Sequence, residues 1–212
     1  FPGVQSGSEG TSGLYVRGGG PDQNLILLDG VPVYNADHLF GFFSVFNPDA
    51  VQHVSLVKGG FPARYGGRLS SVIDIRMKEG NNKEYKGEAT VGLIASKFTV
   101  EGPIKKNTSS FVLSGRRTYL DILTIPIIKA IDHNTKAGYY FYDLNAKLNY
   151  ILSDKHRLFA SVYTGKDEMY FGYKDSYYDS GAKHEFNTKG GINWGNITTA
   201  VRWNYLISNK MF

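Results

Sequence analysis

LYVRGGGPDQNLILLDGVPVYN, residues 14–35, decides the fold. Two short apolar runs, Leu14-Tyr15-Val16 and Leu25-Ile26-Leu27-Leu28, flank three glycines, Pro21, Asp22, Gln23 and Asn24. Asp29-Gly30 then turns the chain into Val31-Pro32-Val33-Tyr34. Runs of this length, rich in Leu, Ile and Val and bounded by Gly, Asp and Pro, predict short strands buried on both faces. The loops between them return to one end of a compact core. Alternation in 51–57 and 71–77 predicts two further strands, with a bend at Asn47-Pro48-Asp49 before the first. The polar run 78–83, KEGNNK, marks the expected boundary between a unit at 1–80 and another at 81–212.

Beyond residue 84 the texture changes to long two-residue alternation. In 139–152 the even positions are Tyr140, Tyr142, Leu144, Ala146, Leu148, Tyr150 and Leu152, against Asp143, Asn145, Lys147 and Asn149. In 196–207 the odd positions Ile197, Thr199, Val201, Trp203, Tyr205 and Ile207 alternate with Asn196, Thr198, Arg202 and Asn204. Such runs exceed the usual globular strand of about 5–6 residues and match the 9–11 that a tilted membrane strand needs. Tyr at both ends of the apolar face is the pattern of an interfacial girdle. Strands are predicted near 84–94, 96–104, 109–121, 139–152, 156–171 and 190–207. Tight polar turns at 105–108, 153–156 and 208–210 oppose long connections at 122–138 and 166–190, the asymmetry of an outer-membrane barrel. Six strands would leave open edges, which lipid does not tolerate, so the barrel is expected to continue past Phe212. The other reading of the alternation is a soluble two-sheet sandwich.

Composition narrows the function classes. The chain has 212 residues, 25 Gly, 15 Tyr and 13 Phe but only 2 Trp and 3 Met, which suits a turn-rich β protein. With no Cys, a thiol catalyst, a Cys-based zinc site and a disulfide scaffold are excluded. A net charge of +5 without a Lys/Arg run gives no nucleic-acid stripe. No signal peptide is visible and no apolar run approaches the ~18 residues of a spanning helix. Both ends read as cut within a motif, so a fragment is expected. Gly18-Gly19-Gly20 lacks the GK[ST] ending of a phosphate loop. His38, His53, His133, His156 and His184 are scattered without ligand spacing, and no GxSxG is present. Asp167, Glu168, Asp175 and Asp179 fit no calcium loop. No enzyme, cofactor or metal site is expected.

Arg17-Gly18, Leu28-Asp29-Gly30-Val31-Pro32, Val57-Lys58-Gly59, Arg64-Tyr65-Gly66-Gly67 and Val72-Ile73-Asp74-Ile75, in that order and ahead of barrel-type strands, resemble the plug of TonB-dependent outer-membrane receptors. The wording LILLDGVPVYN…HLFGFFSVFNPDA…KGGFPARYGGRLSS looks most like Bacteroidetes receptors that carry a carboxypeptidase-regulatory-like N-terminal domain. The implied fold is mixed β: the end of an α+β plug (1–80), then about six antiparallel transmembrane strands (81–212) of a 22-stranded plugged barrel. The implied function is active uptake of a scarce nutrient across the outer membrane, driven through the TonB–ExbB–ExbD complex by a segment outside this chain. Outer-membrane lipid, a small nutrient ligand and a surface lipoprotein are the implied partners, with no nucleic acid. Arg17 and Lys58 match basic plug positions that face acids on the barrel wall, a breakable lock. Pro21, Asp22 and Gln23, with Tyr34, Asn35, Asp37, His38 and Phe40, match plug apices and are the expected ligand contacts. A second reading makes the chain a structural subunit of an outer-membrane assembly or secretion complex. Siderophore, glycan and peptide ligands all stay open.

Overall fold

Asp29 and Gly30 both adopt positive φ (50° and 88°), the paired left-handed geometry of a two-residue hairpin turn. They fold strand β3 (Asn24–Leu28) onto β4 (Val31–Pro32), with Leu28 opposite Val31. The structure is a computed structural model and describes residues 4–6 and 13–208. Ahead of this hairpin, β1 (Val4–Ser6) pairs antiparallel with β2 (Leu14–Val16). After it come β5 (Asp37–His38) and β6 (Phe43–Ser44), a small antiparallel pair. Strands β7 (Val51–Val57) and β8 (Ser71–Met77) complete a sheet of order β4-β3-β8-β7, in which β3 and β8 run parallel.

Strand β8 is central and buried at every residue but Arg76, with Ile73, Ile75 and Met77 alternating against Val72, Asp74 and Arg76. Its Ile73, Ile75 and Met77 join Leu28, Val33, Ala36, Val45 and Ala50 in one core, each large side chain contributing about 1.5–3 kcal/mol by burial. Asn47 caps the turn Pro48–Ala50 by accepting from the Asp49 amide, as its sequence position predicts. Asn24 ties the elements together: its amide donates to the Leu14 carbonyl (2.6 Å) and its oxygen accepts from the Ser71 hydroxyl (2.6 Å).

The rest is one six-stranded antiparallel sheet in sequence order. It holds β9 (Lys86–Val91), β10 (Ala95–Lys105), β11 (Ser109–Thr118), β12 (Thr135–Ser153), β13 (His156–Asp179) and β14 (Ala182–Tyr205). Alternation sorts the two faces. Tyr139, Phe141, Asp143, Asn145, Lys147 and Asn149 of β12 are buried against the first sheet, while Leu144, Leu148, Val162, Ile197 and Val201 face outward, 38–80% exposed. The core of the first sheet closes on Tyr163 of β13, so the two parts share one interior.

Two connections differ from expectation. The segment 122–138 is largely helix α1 (Leu120–Ile131), which tolerates Pro126 in its interior although that ring cannot donate to the Ile122 carbonyl. The segment 166–190 is strand rather than loop: β13 and β14 run on to a two-residue turn at Ser180 and Gly181 (φ 50° and 85°). Tyrosines and charges mix on both faces of this ribbon, so it lacks the apolar alternation that marks the strands below. No helix among the described residues is long and apolar enough to cross a membrane, which leaves strand crossings untouched.

Candidate functional site

The small β5–β6 pair meets the inner face of the six-stranded sheet through His38, at the end of β5. His38 is 1% exposed. Its Nε2 lies 2.8 Å from Asp143 Oδ1 on β12, and its Nδ1 lies 2.6 Å from Asp167 Oδ2 on β13. A carboxylate oxygen at each ring nitrogen suits a ring that donates through both, the imidazolium form. Burial alone would lower its pKa, but the hydrogen bonds to Asp143 and Asp167 and their charges outweigh it, and the net direction is upward.

The carboxylates are held in turn. Arg116 of β11 donates through Nε (2.9 Å) and Nη2 (2.5 Å) to Asp143 Oδ2, and Nη2 also reaches the Ser44 carbonyl (2.7 Å). The Tyr163 hydroxyl donates to Asp143 Oδ1 (2.9 Å). Asp167 Oδ1 accepts from the Tyr139 hydroxyl and from the Leu39 amide (3.1 Å). Phe141 lies between the two cations, stacked on His38 at 3.9 Å and under the Arg116 guanidinium at 5.0 Å. Two cations and two carboxylates balance, so the cluster is buried without net charge. Gly165 makes room for it, because a Cβ there would sit 2.8 Å from Asp143 Oδ1.

A second buried contact has the opposite polarity. Lys147 of β12 donates to Asp29 Oδ1 (3.0 Å) and to the Met77 carbonyl (3.1 Å), and Asp29 also accepts from the Met77 amide (3.2 Å). Asn47 donates to the Ser114 hydroxyl (2.5 Å).

Above His38 lies the expected ligand surface. Pro21, Asp22, Tyr34, Asn35 and Asp37 line a cavity of about 570 Å³ together with Arg68, whose guanidinium stands 6.0 Å over the Tyr34 ring. Gln23 is turned instead towards Gly19 and Ser70, its carbonyl accepting from the Ser70 amide (3.0 Å). Phe40 is 73% exposed, with its ring 5.1 Å from Trp194 on β14. Asn35 and Asp37 join Phe40, Gly41 and Trp194 around a hollow of about 400 Å³, and Asn196 donates to the Asn35 carbonyl (3.0 Å). His38, expected among the ligand contacts, thus lies beneath them as the seat of the apex.

The two cations expected to form the lock occupy one corner of the first sheet. Arg17 is exposed with its guanidinium beside Gly59, and half-buried Lys58 precedes that glycine. The buried connections described above run through His38, Asp143, Asp167, Arg116, Asp29 and Lys147. Asp143 and Lys147 were visible in the sequence as the polar phase of 139–152. Asp167 and Trp194 were hidden, the first inside an expected loop and the second ahead of the apolar run 196–207.

Comparison with known proteins places this geometry. Residues 1–72 match the TonB-dependent receptor plug domain. The ferrienterobactin receptor of Escherichia coli K12 is 30% identical over 133 residues, 54% of this chain and 17% of that protein. The siderophore receptor PirA from Acinetobacter baumannii superposes with a TM-score of 0.53 at 19% identity, covering 91% of this chain and 36% of that one. The ferric enterobactin receptor PfeA from Pseudomonas aeruginosa, solved with enterobactin, gives 0.51 at 16% identity over 93% and 37%. The fold is therefore a plug domain followed by antiparallel strands, similar to plugged TonB-dependent barrels. The chain spans well under half the length of each of these relatives.

Proposed function

We propose that this chain is the end of the plug (1–80) and the start of the wall (81–212) of an outer-membrane transporter that captures a ferric siderophore and imports it with TonB-derived energy. The wording of 25–70 further suggests the Bacteroidetes branch, in which a surface lipoprotein is an available partner. The observation that carries the functional reading is the pairing of Phe40 on the plug apex with Trp194 on the wall, at the rim of hollows that also expose Asp22, Tyr34, Asn35, Asp37 and Arg68. Aromatic faces with a guanidinium suit a large, flat-faced, anionic complex such as an iron catecholate. The relatives named for siderophores and enterobactin point to the same class.

The test uses the full-length protein. Phe40→Ala and Trp194→Ala should each weaken binding of ferric enterobactin by about tenfold, the loss of one aromatic contact of ~1.4 kcal/mol. Uptake of iron-55 from the same complex should vanish in cells lacking TonB. Binding untouched by both substitutions would refute the apical ligand site, while uptake indifferent to TonB would refute the transporter reading and favour a structural subunit.

A further inference from the structure

Leu39, Phe40 and Gly41 are three successive residues at positive φ, 49°, 54° and 98°. Leu and Phe rarely enter the left-handed region, which favours Gly and, among other residues, Asn, Asp and His. The turn's local hydrogen bonds are both accepted by carbonyls of its first residues: the Phe42 amide donates to His38 (3.0 Å) and to Leu39 (3.2 Å). No side chain of the turn caps it. Its conformation is held from across the interface. Asp167 accepts from the Leu39 amide through Oδ1 and from His38 through Oδ2, gripping the two residues that lead into Phe40. Tyr139 fixes Asp167 from the neighbouring strand.

The wall register adds a second observation. Asp167 of β13 lies directly opposite Trp194 of β14, so both project from one rung to the same inner face. The rung carries the carboxylate that grips the turn and the ring that Phe40 meets.

We propose that Asp167 is a positioning residue for ligand capture, holding the left-handed turn Leu39–Gly41 so that Phe40 stands against Trp194 before ligand arrives. This deepens the reading of the apex as a ferric-siderophore site and rests on it. Pre-organisation raises affinity by removing the ordering cost from the binding step. Asp143 is bonded to His38, Arg116 and Tyr163 but not to the Leu39 amide, so the two wall carboxylates have different consequences.

The experiment follows the Phe40 position directly. A bimane fluorophore on Phe40→Cys in the full-length receptor is quenched by Trp194, and the Trp194→Phe protein gives the unquenched reference. Asp167→Ala should bring the signal close to that reference, while Asp143→Asn should leave most of the quenching. In the receptor with Phe40 intact, Asp167→Ala should weaken ferric enterobactin binding about tenfold. Heat-modifiable gel mobility reports a folded barrel, and Asp167→Asn, of equal volume, stands in if the alanine variant does not fold. Adding Leu39→Asn, which accepts left-handed backbone, should restore part of both losses, a rescue that a purely structural Asp167 would not show. Quenching unchanged by loss of the Asp167 carboxylate in a folded barrel overturns the proposal. Affinity unmoved by Phe40→Ala and Trp194→Ala sinks the apical ligand site alone, since the quenching still decides what Asp167 does.

Discussion

At the scale of single residues, the histidine at the end of β5 separates two roles that its sequence context merges. Lying between Tyr34 and Phe40 it reads as one more ligand contact, yet it is the deepest of them and carries a charge matched by two carboxylates. Removing one partner of such a buried set leaves the others uncompensated, at a cost of about 3–5 kcal/mol. His38→Ala should therefore leave Asp143 and Asp167 facing each other and loosen the plug, read as faster proteolysis within residues 30–60 of the intact barrel. The same group predicts a pH dependence. Its folded pKa is raised above the ordinary 6.5, so its contribution is fully present below about pH 6.5 and is lost as pH rises through the folded value. The groups facing it are Asp143, Asp167, Arg116 through Asp143, and the hydroxyls of Tyr139 and Tyr163, so the proton lost comes from a set that is neutral when the ring is charged. Amide protection in the turn around Leu39, taken relative to the intrinsic base-catalysed exchange, should fall as pH rises above about 6.5, more than in β8, and protection unchanged with pH would exclude the imidazolium as a holding charge.

At the scale of elements, the strands and their phase were legible because burial imposes its own period. β3 betrays two-sided burial by its unbroken apolar run, and β12 betrays a lumen and an outer face by strict alternation. The same rule explains the failures. Above the apolar band, β13 and β14 have no oily face to keep, so Tyr and charge mix and the ribbon reads as loop until Ser180-Gly181 supplies its turn. Helix α1 was obscured by Pro126, a residue that ordinarily ends helices. Partners across the interface were not legible at all, since Asp29 and Lys147 lie 118 positions apart. That contact gives an element-scale prediction about how the β3–β4 hairpin is fastened to β12. Lys147→Ala should cost about 3–5 kcal/mol by stranding Asp29, and Asp29→Ala a similar amount. The double variant should cost clearly less than the sum, a coupling of at least about 1 kcal/mol in denaturant melts. Additive losses would mean that the hairpin is held by shape alone.

At the scale of the whole molecule, the outer face of the wall is a height gauge. Register aligns Tyr142 with Lys166 and Gly195 near the top, and Tyr150 with Leu158 and Trp203 near the base. From Tyr140 to Leu152 the strand advances about 40 Å at 3.3 Å per residue, or about 30 Å of height at a 40° tilt. Aromatic rings mark both limits, with Tyr140 and Tyr142 above and Tyr150, Trp203 and Tyr205 below, the last two stacked with His156. The row Ala146, Val162 and Thr199 lies midway. A barrel wall in lipid penalises a charge by depth, about 2–4 kcal/mol for Arg at the midplane and 0–1 kcal/mol near the interfaces. Val162→Arg should therefore destabilise folding into vesicles by about 2–4 kcal/mol. Leu158→Arg, on the lower girdle row, should cost about 0–1 kcal/mol. Tyr177→Arg, on the ribbon beyond the band, should cost nothing measurable. A soluble sandwich predicts a different series: all three positions are exposed to water there and would accept arginine alike. Equal stability of the three variants in lipid would therefore remove the membrane wall, and with it the transporter, while a graded series would fix the height at which the plug and its histidine seat ride within the bilayer.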